Sequence, residues 1–136
     1  KKILYNKNEN AFINGFDNDQ FSVHSQVWMI LGGVMSGAEA KELLLSCLDN
    51  EKAKQPVDPY MRHYVTEAML KLDMKDEAVQ YLKKFWGGML DHGADTFWEA
   101  YIPDDLDFSP YEDRMINSLC HAWSCTPSYF IRKYGM

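Results

Sequence analysis

The clearest helical repeat in the chain is the stretch 78–90, AVQYLKKFWGGML. Its apolar residues recur every three to four positions and predict the buried stripe of a helix: Ala78, Val79, Leu82, Phe85, Trp86, Met89 and Leu90. Gly93 follows the stripe and predicts the end of that helix. A repeat of this period favours a helical fold class.

Three helices with the same period are predicted upstream. The first covers 19–36, and the second opens at a capping box, Ser36-Gly37-Ala38-Glu39. The third begins at Asp58-Pro59, because Asp is a strong N-cap residue and Pro fits the first helical position. Its predicted buried face includes Tyr60, Tyr64, Ala68 and Leu72.

The helical period is lost after the fourth helix. Residues 94–114 are predicted to form a long irregular connection, and connections of that length in a compact domain are usually functional or disordered. The aromatic residues in this connection argue against disorder. A last helix is predicted over 116–134, with a break or restart at Thr126-Pro127.

The start of the chain has no helical repeat. Residues 1–17 are predicted to be irregular with a turn at Asn14-Gly15, and no convincing strand pair is found. The sequence therefore predicts an all-α fold, with residues 1–136 as a single helical segment of about five helices arranged in hairpins.

Composition excludes several kinds of partner. The chain has 136 residues, about one domain, and a formal net charge of −6. Nucleic acids and anionic membrane surfaces are bound by clustered positive charge, so neither is expected as a partner. No apolar run reaches the ~20 residues that span a bilayer. The N-terminus shows no signal-peptide pattern.

No metal site and no cofactor are predicted. The four histidines form no close ligand pair in the sequence. The pattern Asp105-x-Asp107-x-Ser109 begins like a calcium loop, but Pro110 and Ile116 stand where the turn glycine and the bidentate Glu belong. The three cysteines cannot all pair within one chain, so free thiols are the default interpretation.

Two local patterns can carry chemistry. In the stretch 96–101, TFWEAY, the carboxylate of Glu99 stands among aromatic rings, and glycoside hydrolysis uses carboxylates together with rings that hold a sugar face. Burial beside Trp98 would raise the pKa of Glu99. In the stretch 118–124, SLCHAWS, His121 stands near Trp123 and can bind a sugar hydroxyl. The alternatives are a solvated surface Glu99 and a satisfied core histidine on the last helix.

The motifs GADTFWE at 93–99 and NSLCHAWS at 117–124 resemble the end of the catalytic barrel in bacterial α-L-rhamnosidases, which are six-hairpin glycosidases of glycoside hydrolase family seventy-eight. The helix openings FSVHSQ at 21–26 and PYMRHY at 59–64 are similar to those that precede the motifs in that family. The family usually has Thr where Asp95 stands and often Gly at position 122, and neither difference removes a reactive group.

The resemblance implies an inverting hydrolysis of terminal α-L-rhamnosides without a cofactor. It implies that Glu99 is the general base, that His121 contacts the rhamnose and that Trp98 shapes the pocket. In an inverting mechanism a second carboxylic acid protonates the leaving oxygen. The family's general acid lies upstream of anything present in this chain.

The chain is therefore expected to be the C-terminal part of an incomplete six-hairpin toroid, and to be inactive when isolated. Helix faces that lack their neighbours would expose apolar surface and favour self-association. A periplasmic or extracellular parent is compatible with the sequence, which leaves the compartment open. Two alternatives remain: a related helical-barrel glycosidase that acts on another sugar, and a non-catalytic helical interaction module.

Overall fold

The computed structural model describes residues 4–136, which form five α-helices and a small antiparallel sheet. The helices are α1 (Val23–Leu31), α2 (Gly37–Leu48), α3 (Pro59–Lys71), α4 (Lys75–Asp91) and α5 (Thr126–Tyr134). The strands are β1 (Tyr5–Asn6), β2 (Ala11–Gly15) and β3 (Asn18–Phe21). The predicted helical class with about five helices is confirmed, although the sheet makes all-α an approximation. Within the described part of the chain, the helices are too short or too polar to cross a membrane.

The sheet corrects the prediction that the start of the chain is irregular. Its strand order is β1-β2-β3, with Tyr5 opposite Phe12 and Ile13 opposite Phe21. The chain reverses at Phe16 and Asp17, two residues after the predicted turn, and Asp17 has a positive φ of 55°. Residues 1–3, which belong to the same prediction, lie outside the described part.

A buried glutamine joins the sheet to α1. The side chain of Gln26 accepts from the Phe12 N–H at 2.8 Å and donates to the Phe12 carbonyl at 2.9 Å. It also donates to the Ser22 carbonyl at 2.8 Å. Gln26 is fully buried, so these bonds replace the water that its amide would otherwise need.

A capping side-chain hydrogen bond is present at the start of α1 and of α3 and absent at the start of α2. The helix predicted over 19–36 covers only Val23–Leu31, because its predicted first residues belong to β3. Ser36 precedes α2 as predicted, but its side chain makes no capping hydrogen bond. Asp58 caps α3 as predicted, since its Oδ1 accepts from the Met61 N–H at 2.7 Å.

The long last helix is the largest error in the predicted secondary structure. Only Thr126–Tyr134 is α-helical, and Arg114–Ile116 and Ala122–Ser124 form single 3₁₀ turns. The backbone around Ser118 bonds to Glu99 and not to its own helical neighbours, so the helix cannot extend through it. His121 therefore lies outside a helix.

The described chain divides into two compact units. The first consists of the residues up to Pro56 with Glu67–Met74, and the second of Val57–Thr66 with Lys75–Met136. In the first, α1 packs against α2 and β2 around a core of Phe12, Val23, Val27, Ile30, Leu43 and Leu44. In the second, the buried side chains include Met61, Val65, Phe85, Trp86, Met89 and Phe130.

Two residues predicted to be buried are exposed. Tyr60 lies at the start of α3 with 48% of its surface accessible, and Leu90 is also exposed near the end of α4. The Trp86 indole N–H, in contrast, is buried and donates to the Ser124 carbonyl at 2.8 Å. This bond fixes the 3₁₀ turn after His121 against α4.

Candidate active site

Glu99 lies in the extended connection that follows α4. Gly93 ends the helix in a left-handed conformation, with φ 88°, which a residue with a side chain rarely adopts. The Glu99 N–H donates to the Ser118 carbonyl at 2.9 Å, and the Ser118 N–H donates to Glu99 Oε2 at 2.8 Å. The predicted alternative of a solvated Glu99 does not hold, because only 4% of its surface is accessible.

Tyr111 holds the second carboxylate oxygen of Glu99. Its hydroxyl donates to Oε1 at 2.6 Å, a short distance typical of a hydrogen bond to a charged acceptor. The bond to Glu99 raises the pKa of Tyr111, since the carboxylate favours the protonated phenol.

The pKa of Glu99 is lowered, which corrects the expectation of a raised one. Burial raises it, but the hydrogen bonds from Ser118 and Tyr111 and the nearby His121 together outweigh burial. Glu99 is therefore ionised at neutral pH. An ionised carboxylate can accept a proton, whereas a general acid must arrive protonated.

His121 faces Glu99 with a defined ring orientation. Its backbone N–H donates to the Phe97 carbonyl at 2.7 Å, which joins the two motifs. Its Nδ1 accepts from the backbone N–H of Trp123 at 3.4 Å. In the neutral ring the hydrogen is therefore on Nε2. Nε2 lies 3.9 Å from Glu99 Oε1. That distance is too long for a direct hydrogen bond.

Trp123 packs against the imidazole ring of His121. The two rings are stacked, with centroids 4.2 Å apart and planes inclined by 29°. The indole N–H donates to the Glu99 carbonyl at 3.2 Å. Trp123 thus contacts both His121 and the backbone of Glu99, and it fixes their separation.

Trp98 lines a cavity to which Glu99 and His121, the other two predicted site residues, do not contribute. It is half-buried, with its ring centroid 6.3 Å from that of Tyr101. It lines a small cavity of about 20 Å³ together with Ser118 and Leu119, which is room for a water molecule and not for a sugar ring. The structure brings Glu99 and His121 together, and the ring that packs on His121 is Trp123.

Sequence reasoning missed two of the groups around the carboxylate. Ser118 acts through its backbone N–H, which any residue except proline could supply, and Tyr111 lies in the irregular connection. The only sequence signal was the high aromatic content of that connection. Within residues 4–136, no group of three or more His, Cys, Asp or Glu side chains is placed to hold a metal ion.

Comparison with solved structures finds close matches. The chain is 41% identical to a rhamnosidase from Klebsiella oxytoca with rhamnose bound, with a TM-score of 0.91, over 99% of this chain and 26% of that chain. It is 27% identical to a GH78 family rhamnosidase of Bacillus sp. GL1, with a TM-score of 0.75, over 97% of this chain and 14% of that one.

Other comparisons give no match. No protein-family model matches the chain, and no curated protein matches it. The two structural matches agree with each other and cover almost all of this chain, but only a small share of each larger protein. The chain therefore corresponds to a segment of a GH78 rhamnosidase.

Proposed function

We propose that the chain supplies the general-base side of the active site in an inverting α-L-rhamnosidase. Glu99 removes a proton from the attacking water, and His121 donates a hydrogen bond from Nε2 to the rhamnose. Trp98 lines only a water-sized cavity within this segment, so its proposed part in shaping the pocket wall depends on residues outside the segment. The general acid comes from a part of the protein outside this segment. The segment itself is the C-terminal part of a six-hairpin catalytic barrel.

The arrangement of Glu99 and His121 is the observation that carries this proposal. A buried carboxylate with a lowered pKa lies 3.9 Å from an imidazole nitrogen that bears a hydrogen. The carboxylate accepts one hydrogen bond on each oxygen, and each oxygen can accept a second one from a water molecule. Glu99 is thereby ready to orient a water and to receive its proton.

The geometry favours a base over a nucleophile. A retaining enzyme needs its second carboxylate about 5–5.5 Å from the acid, whereas an inverting enzyme leaves roughly 6.5–9.5 Å for water. Glu99 is held at its backbone by Ser118 and Trp123 and at its side chain by Tyr111. These bonds hold the carboxylate in place, which supports our proposal that it acts through a water molecule.

The stereochemistry of the product tests this proposal. The full-length protein that contains this segment should hydrolyse nitrophenyl α-L-rhamnoside, and proton NMR should show β-L-rhamnose as the first sugar formed. Release of the α anomer first would exclude water activation by Glu99 in a single displacement. Hydrolysis of a nitrophenyl glucoside or glucuronide in place of the rhamnoside would favour a related helical-barrel glycosidase.

Tyr111→Phe should change the pH dependence of the full-length enzyme. The base works only when ionised, so kcat/KM falls as the pH drops through the pKa of Glu99. The Tyr111 bond helps to lower that pKa. Its removal should therefore move the acidic limb of the kcat/KM profile to higher pH and reduce activity several-fold on that limb. The plateau near neutral pH should change little.

The matched control for Tyr111→Phe is Tyr5→Phe. The Tyr5 hydroxyl donates to Asn10, so its removal should leave the profile where it is. A profile that drops equally at every pH in Tyr111→Phe would mean that Tyr111 has a purely structural role.

A further inference from the structure

Asn117 is the first residue of the motif NSLCHAWS, and the proposed function gives its side chain no part. We infer that Asn117 is a positioning residue for the candidate base, because its amide holds the turn that carries Tyr111. The hydroxyl of Tyr111 holds the carboxylate of Glu99. The inference rests on the proposed function and adds to it a residue that acts on Glu99 through Tyr111.

The side-chain amide of Asn117 makes two hydrogen bonds to the loop that precedes Tyr111. Its Nδ2 donates to the Phe108 carbonyl at 2.8 Å, and its Oδ1 accepts from the Ser109 hydroxyl at 2.8 Å. Asn117 is half-buried, which limits the exchange of these bonds with water. One planar amide thus uses a donor and an acceptor to fix two consecutive residues of the loop.

Residues 109–112 form a reverse turn with Tyr111 at its third position. The Glu112 N–H donates to the Ser109 carbonyl at 3.3 Å, and Pro110 stands at the second position, where its fixed φ favours such a turn. The Ser109 hydroxyl that donates to Asn117 also accepts from the Tyr111 N–H at 3.1 Å. The orientation of Tyr111 therefore depends on a hydroxyl whose position Asn117 fixes.

Asn117 also stands next to the second support of the carboxylate. Ser118 follows it in the chain, and the Ser118 N–H donates to Glu99 Oε2 at 2.8 Å, whereas the Tyr111 hydroxyl donates to Oε1 at 2.6 Å. One amide thereby links the two groups that hold the two carboxylate oxygens. Among the described residues, the groups that lower the pKa of Glu99 are Ser118, Tyr111 and His121, and displacement of Tyr111 removes one of them.

The test follows the acidic limb of the kcat/KM profile in the full-length protein, with nitrophenyl α-L-rhamnoside as the substrate. Asn117→Ala and Ser109→Ala each loosen the bond from Tyr111 to Glu99, so the pKa of Glu99 should rise. The limb should therefore move to higher pH, with kcat/KM several-fold lower on the limb and little changed on the plateau. Ser109→Thr keeps the hydroxyl and should leave the limb in place.

A double substitution shows whether Asn117 acts through Tyr111. In the Tyr111→Phe background, Asn117→Ala should move the limb very little further, because the bond that it supports is already gone. Asn50→Ala is the matched control, since Asn50 is also half-buried and its side chain accepts from the backbone N–H of Lys52 at 2.9 Å in the first compact unit. This control should leave the profile unchanged.

Each result has a defined meaning. An unmoved limb in both Asn117→Ala and Ser109→Ala would overturn the inference, and so would a full additional shift in the Tyr111→Phe background. A loss that is equal at every pH would also overturn it, since it would indicate a purely structural role. If Asn117→Ala does not fold, Ser109→Ala alone decides, because it removes a single hydroxyl. Glu99→Gln tests the proposed function separately, and an active Glu99→Gln enzyme would contradict that function and this inference with it.

Discussion

Replacing Glu99 with Gln in the full-length protein should lower kcat about 10²–10⁴-fold, the usual contribution of a general base. The amide cannot accept the proton of the attacking water at any pH in the working range. KM should change much less, because the proposed contact of His121 with the rhamnose is unaffected. Steady-state kinetics with nitrophenyl α-L-rhamnoside measure both parameters.

The fold around position 99 should survive this substitution. The amide oxygen of Gln can still accept from the Ser118 N–H, and the Tyr111 hydroxyl can reverse its role and accept from the amide NH₂. Glu112→Gln makes the same chemical change at an exposed position beside Tyr111 and should leave kcat within about twofold. A Glu99→Gln enzyme with more than a tenth of the normal kcat would contradict the role of Glu99 as base.

Gln26→Leu should destabilise the fold by about 2–6 kcal/mol, although the two side chains are nearly equal in size. The leucine leaves the N–H and the carbonyl of Phe12 buried without their partners. Each such group costs about 1–3 kcal/mol. The free energy of unfolding in urea, followed by far-UV circular dichroism, measures the loss.

Gln20→Leu is the control for this stability prediction. Gln20 lies on β3 with its side chain exposed, so the same substitution there should change the free energy of unfolding by less than about 0.5 kcal/mol. Equal losses for the two variants would show that the buried hydrogen bonds of Gln26 do not add to the free energy of unfolding.

Helices were predictable where the apolar period was long and the ends were marked. The period of α4 and the Asp58-Pro59 opening of α3 are local signals, and both gave the right element. The sheet had no such signal. Its strands have two, five and four residues, and Phe21 is the only buried residue of β3, so no alternation is visible.

The candidate site was predictable in part. Glu99 and His121 came from the motifs that carry the resemblance, and the structure places them 3.9 Å apart. The lowered pKa of Glu99 depends on Tyr111 and on a backbone N–H, which are brought to the carboxylate by the path of an irregular loop. That path depends on bonds between distant residues, such as Asn117 to the Phe108 carbonyl at 2.8 Å. Local sequence does not encode them.

The loop between Glu99 and Ser118 is closed by hydrogen bonds between its two ends, and this closure decides where the loop can accept insertions. Two hydrogen bonds join its ends, one between backbone groups and one from the Ser118 N–H to the Glu99 carboxylate, and the Tyr111 hydroxyl donates to the same carboxylate. Residues 103–107 belong to the same loop, take no part in these bonds and are exposed. Insertions there add little loop-closure entropy. Residues 103–107 can therefore be lengthened, in evolution or by design, while the carboxylate of Glu99 keeps its place.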